Sequence, residues 1–84
     1  MNKQEYIMPY QIQLDISGEN TETEVKEFAQ GYDCVATLVL ENGPAGGNPL
    51  YDFTCHKYSY LEELAEQVIG VIDEEMIKTM IVEV

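Results

Sequence analysis

Hydrophobic and polar positions alternate strictly along Tyr10-Gln-Ile-Gln-Leu-Asp-Ile16. Tyr10, Ile12, Leu14 and Ile16 point to one side and Gln11, Gln13 and Asp15 to the other, the pattern of a half-buried strand. Pro9 lacks a backbone donor, so regular pairing is expected to start after it. The period then lengthens. Val25, Phe28, Ala29 and Tyr32 fall at helical spacing behind Thr21-Glu-Thr-Glu24, a capping-box sequence. These signals predict a helix over 22–30, with Gly31 as a left-handed stop.

Cys34-Val-Ala-Thr-Leu-Val-Leu40 is apolar and β-branched and reads as a second strand. Leu50-Tyr-Asp-Phe-Thr-Cys-His56 reads as a third, with Tyr51, Phe53 and Cys55 on one side and Asp52, Thr54 and His56 on the other. Ser59-Tyr-Leu-Glu62 has capping-box spacing again, ahead of Leu61, Leu64, Ala65, Val68, Ile69 and Ile72. That is an amphipathic helix, with Glu62, Glu63, Glu66 and Gln67 on its far side and Gly70 near its end. Asp73, Glu74 and Glu75 read as an acidic turn, and Lys78–Val84 as a last strand.

The order strand, helix, strand, strand, helix, strand is the split βαβ pattern of ferredoxin-like α+β folds. It predicts one domain over residues 1–84, a four-stranded antiparallel sheet and two helices on one face. The first and third strands are expected in the centre and the second and fourth at the edges. Placing Glu41 opposite Leu50 pairs Leu40 with Tyr51, Leu38 with Phe53 and Ala36 with Cys55 on the face toward the helices. Val39, Thr37 and Val35 then meet Asp52, Thr54 and His56 on the open face. A one-residue slip would put Asp52 or Thr54 in the core. In this register Cys34 and Cys55 are diagonal neighbours, and disulfide geometry is demanding, so both are expected reduced.

The stretch joining the second and third strands, Glu41-Asn-Gly-Pro-Ala-Gly-Gly-Asn-Pro-Leu50, invites a nucleotide-binding reading that its details oppose. A P-loop needs Lys and Ser/Thr after its last glycine, where Asn48 and Pro49 follow Gly47. A dinucleotide fingerprint needs a helix after the loop, where a strand is predicted. The segment reads as a long hairpin loop, its glycines meeting positive φ and its prolines supplying rigidity.

Charge narrows the partners. Sixteen acidic and four basic residues give a formal net charge of −12. Such a chain has no basic patch with which to bind nucleic acid directly, and anionic membrane surfaces are disfavoured too. A protein partner with a basic surface is compatible. No long apolar run and no secretion signal are present, so a cytoplasmic location is expected.

Catalytic chemistry finds little support. Cys55 and the lone histidine, His56, are neighbours on a strand and point to opposite faces, so they suit neither a nucleophile–base pair nor one zinc. Asp52 shares a face with His56, but no third partner is evident. No calcium-loop motif occurs and no cofactor is implied. Glu62 with Glu66, and Glu24 with Glu27, place like charges on one helix face, a slightly unfavourable arrangement that hints at use. Tyr6, Tyr58 and Tyr60 have no clear place in a core and suit a protein-binding surface beside carboxylates.

The hairpin Asn42-Gly-Pro-Ala-Gly-Gly-Asn-Pro-Leu-Tyr-Asp-Phe53 and the helix Ser59-Tyr-Leu-Glu-Glu-Leu-Ala-Glu-Gln-Val68 resemble small accessory proteins of bacteriophages and other mobile elements. The resemblance covers roughly residues 35–69. The short, acidic, single-domain format also resembles anti-defence proteins, including anti-CRISPR and anti-restriction inhibitors. That resemblance implies occupation of a host nuclease or its nucleic-acid-binding surface, and it carries over no catalytic residue.

Two functions are expected from these readings. The first is a non-enzymatic binding protein that inhibits or modulates a basic host protein, with nucleic-acid mimicry as one route. Glu62, Glu63, Glu66, Asp73, Glu74 and Glu75 would supply its negative surface, and Gly43, Gly46, Gly47 and Asn48 its shaped loop. The alternative is a self-associating structural or regulatory module, a homodimer joined through Val35, Thr37, Val39, Asp52 and Thr54.

Overall fold

The computed structural model describes residues 9–42, 46–70 and 74–84. Its elements run β1 (Tyr10–Asp15), α1 (Glu22–Gln30), β2 (Cys34–Leu40), β3 (Leu50–Cys55), α2 (Tyr58–Ile69), α3 (Glu74–Met80) and β4 (Val82–Glu83). The four strands form one antiparallel sheet in the order β2-β3-β1-β4. The first and third strands are central and the second and fourth lie at the edges, the placement expected from the element order.

The sheet is apolar on one face only. Ile12, Leu14, Cys34, Ala36, Tyr51, Phe53 and Cys55 are buried there, against Val25 and Ala29 of α1, Leu61, Leu64 and Ala65 of α2, and Ile77 of α3. No polar or charged residue is buried among the described residues. The core is therefore held by apolar burial, worth about 25 cal/mol per Å².

α1 starts as the capping-box spacing predicts. Thr21 Oγ1 accepts from the Glu24 N–H at 3.1 Å, and Glu24 Oε1 accepts from the Thr21 N–H at 2.8 Å. Its end differs from the expectation. Gly31 stays right-handed at φ −62°, and the left-handed residue is Asp33, at φ 60°. A run of short turn bonds carries the chain past Gly31: Tyr32 N–H donates to Ala29 O and Asp33 N–H to Gln30 O, both at 2.9 Å. Aspartate tolerates the left-handed region better than most side chains.

Three further expectations are corrected. The Ser59–Glu62 capping box does not form. α2 begins at Tyr58, with Lys57 as an N-cap that makes no side-chain bond, so Ser59 already lies in the first turn. The acidic turn and the start of the expected last strand are helix: Glu74 and Glu75 open α3, which runs through Met80, and β4 is reduced to two residues. Buried Ile77 and Ile81, four apart, fit a helical face, a spacing masked by the β-branched ending. The Ile81 N–H donates to Ile77 O at 3.0 Å. The structure thus has three helices and not two.

The hairpin register also differs. Cys34 faces Cys55, Ala36 faces Phe53 and Leu38 faces Tyr51, while on the open face Val35 faces Thr54 and Thr37 faces Asp52. The shift from the expected pairing is two residues, which leaves Cys34–Leu38 on their predicted faces because strand side chains repeat every two. An irregularity between Leu38 and Leu40 then absorbs one residue, and Leu40 pairs with Leu50. Leu40 consequently stands 46% exposed, outside the core that it was expected to join.

Candidate functional site

α2 sorts its residues by the helical period. Leu61, Leu64 and Ala65 are fully buried, Glu62 and Glu66 are half-buried on one flank, and Glu63 is exposed. Glu74 and Glu75 are exposed in the first turn of α3, which packs against α2. Asp73 lies outside the described residues.

The hairpin loop is exposed at Gly46, Gly47 and Asn48, and Gly43 lies outside the described residues. Gly46 takes φ +76°, the conformation its residue type permits without strain. The Asn48 amide approaches Asp15 Oδ2 at 3.5 Å, and the Pro49 carbonyl accepts from the Ile16 N–H at 2.9 Å. These bonds tie the loop to the end of β1.

Glu63 and the hairpin loop do not converge. The loop joins β3 at Leu50, at one end of the sheet. Glu63 lies near the other end, beside Gly31, Tyr32 and Asp33, which lead into β2 opposite Cys55. One partner touching both would have to span the length of the sheet.

Glu63 instead completes an acidic and aromatic notch of about 390 Å³ with Gly31, Tyr32, Asp33 and Tyr60. Tyr60 and Glu63 share a face of α2, three residues apart. The Lys57 ammonium lies 4.8 Å from the Tyr60 ring centroid, and the His56 ring meets Tyr60 edge-on at 5.9 Å. His56 Nε2 is 3.7 Å from Asp33 Oδ2. His56 therefore turns toward Asp33, whereas Asp52 accepts a 2.8 Å hydrogen bond from Gln13. Tyrosine faces and carboxylates both attract cations. Tyr60 and Glu63 are close in sequence, but only the turn at Gly31–Asp33 brings Tyr32 and Asp33 to them, and no local motif announces that.

The two thiols are free and buried. Cys34 Sγ donates to Tyr32 O at 3.3 Å and Cys55 Sγ to Asp33 O at 3.4 Å. Burial pushes the Cys34 thiol well above the ordinary range, with Cys55 and then Asp33 adding to the effect. Cys34 is thereby held as a neutral thiol, a poor nucleophile. Burial also raises the Tyr51 phenol, helped by Glu22 and opposed by Lys26. Among the described residues, no three His, Cys, Asp or Glu side chains gather in a metal-holding group. Nor is any helix among them long and apolar enough to cross a membrane.

Compared with protein-family models, curated proteins and solved structures, the chain has no match.

Proposed function

We propose that this chain is a non-enzymatic binding protein that occupies a basic surface on a host protein and thereby inhibits or modulates it. The formal net charge of −12 carries this reading, with Glu63, Glu74 and Glu75 exposed on adjoining helices. Four basic residues cannot neutralise sixteen acidic ones, so the surface field is negative and steers association with positive partners. The resemblance to phage and mobile-element anti-defence proteins directs the proposal to nucleases that bind nucleic acid, with carboxylates standing where phosphates would lie. A cytoplasmic site of action belongs to the same reading. So does the fold name: a ferredoxin-like variant, with β1 and β3 central and α3 inserted ahead of a shortened β4.

Capture from host lysate at low and high salt tests the reading. Screening weakens contacts between exposed charges, so a specific basic protein should be held at low salt and released at high salt. Reversal of Glu62, Glu63 and Glu66 to Lys should abolish its capture. Unchanged capture by that triple variant would remove α2 from the interface and with it this proposal.

The open sheet face supports the second reading, self-association. Val35 and Val39 stand 47% and 42% exposed there, beside Thr37, Asp52 and Thr54. A mass that stays monomeric by light scattering at high concentration rejects it.

A further inference from the structure

β2 is an edge strand with little protection. Its inner edge pairs with β3, and no described strand pairs with its outer edge. Edges are usually guarded by charged residues, proline, short length or bulges. Cys34–Leu40 contains no charged residue and no proline, and its one irregularity comes late, between Leu38 and Leu40. At the other edge of the sheet, β4 offers only two residues.

A groove of about 620 Å³ runs beside this edge, between β2 and α1. Thr23, Lys26, Glu27 and Gln30 form its helix wall, and Asp33 stands at its start. Lys26 is engaged by Glu22 at 3.0 Å, so the carboxylates of Glu27 and Asp33 set the sign of the groove. The opposite side of β2 presents Val35 and Val39 to solvent.

We propose that the β2 edge takes up an extended segment of a basic partner as a fifth strand, antiparallel or parallel to Cys34–Leu38. This rests on the reading of the chain as a binder of basic proteins and names what it would bind. The two sides of β2 specify the segment. Side chains facing α1 meet Glu27 and Asp33 and are basic; side chains facing the open side continue the row of Val35 and Val39 and are β-branched. Since strand side chains alternate, the ligand is an alternating basic and apolar sequence. Backbone hydrogen bonds to β2 supply affinity, and the alternation supplies specificity. A second copy of this chain is a poor occupant, because it would bring another −12 charges to the same edge.

Three synthetic peptides of about six residues, the usual strand length, test the proposal. The first alternates arginine and valine, the second alternates glutamate and valine, and the third is the arginine peptide with alternate backbone nitrogens methylated. Calorimetry reads binding, and amide hydrogen exchange by NMR reads its place. The arginine peptide should bind and slow exchange at alternate amides of residues 34–38. The glutamate peptide should bind at least about tenfold more weakly, because like charges oppose it. The methylated peptide keeps its charge but loses backbone donors, and should also weaken about tenfold. Glu27→Lys, at an exposed helix position, should lower affinity for the arginine peptide alone.

Equal binding by the methylated peptide would overturn strand addition in favour of plain charge attraction. Protection that appears only at α2, or at no site on β2, would overturn it as well. Loss of the edge inference in this way leaves the functional reading intact if a host protein is still captured through Glu62, Glu63 and Glu66. Capture that ignores those glutamates, with peptide protection at β2, removes the functional reading and keeps the edge.

Discussion

Cys34 and Cys55 sit directly opposite one another across β2 and β3, both buried and both free thiols. Each donates to a carbonyl of the turn that enters β2, Cys34 to Tyr32 and Cys55 to Asp33. The pair therefore anchors that turn from beneath, in addition to filling the core.

A pH dependence follows for Cys34. Its thiol is raised in the folded state, first by burial and then by Cys55. The unfolded chain loses that proton near an ordinary thiol value of about 8.5, while the folded chain keeps it. The folded state then binds more protons, so stability is fully present below that pH and falls as pH rises above it. The slope is at most about 1.4 kcal/mol per pH unit for one thiol. Tyr51 is raised as well and adds a decline of the same sign at higher pH. Urea midpoints at neutral and alkaline pH should show the loss, and Cys34→Ala should reduce its steepness. Alkylation of either native thiol at neutral pH should be slow and should follow unfolding.

Phe53 is fully buried on the central strand β3. Phe53→Ala should cost about 3–5 kcal/mol, from lost burial and the cavity left behind. A domain this small has a total stability at the low end of about 5–15 kcal/mol, so the variant should be largely unfolded. Urea denaturation followed by circular dichroism measures this.

Thr21 supplies one half of the capping box of α1 and Glu24 the other. Thr21→Ala should cost about 1 kcal/mol, as loss of an N-cap usually does. Glu24→Gln retains an acceptor at the same reach and should cost less. Equal losses in the two variants would mean that the Glu24 charge supports the helix start as much as the Thr21 hydrogen bond does.

Gly70 ends α2 in the left-handed region, at φ +82°, and its N–H donates to Glu66 O at 2.9 Å. A Cβ there would meet nothing within 4 Å, so Gly70→Ala isolates backbone strain. The expected loss is about 1–2 kcal/mol. D-alanine at the same position, introduced by chemical synthesis, should restore the stability, because its mirror geometry favours positive φ.

Much of this architecture is legible in the chain. The 10–16 alternation marks β1, the Thr21–Glu24 spacing marks α1, and the Leu61, Leu64 and Ala65 stripe marks α2. The two-residue shift of the hairpin was not legible, because facing repeats every two residues and both registers turn the same side chains of Cys34–Leu38 inward; only Leu40, past the irregularity, leaves the core. α3 was hidden for another reason. The β-branched ending Ile81-Val-Glu-Val84 does supply β4, but the strand expected there also takes in Lys78–Met80, where packing of Ile77 into the core decides for helix. The notch of Tyr32, Asp33, Tyr60 and Glu63 is assembled across the fold by a turn, so no local spacing could announce it.

The unequal edges of the sheet bear on how far any assembly can grow. β2 offers seven residues and β4 two. Open-ended stacking of sheets needs two receptive borders on each molecule, one to take a neighbour and one to pass the pattern on. A molecule with one receptive border ends a chain of additions at the first step. The same edge that can capture a foreign strand thus gives discrete complexes of defined stoichiometry, not fibres.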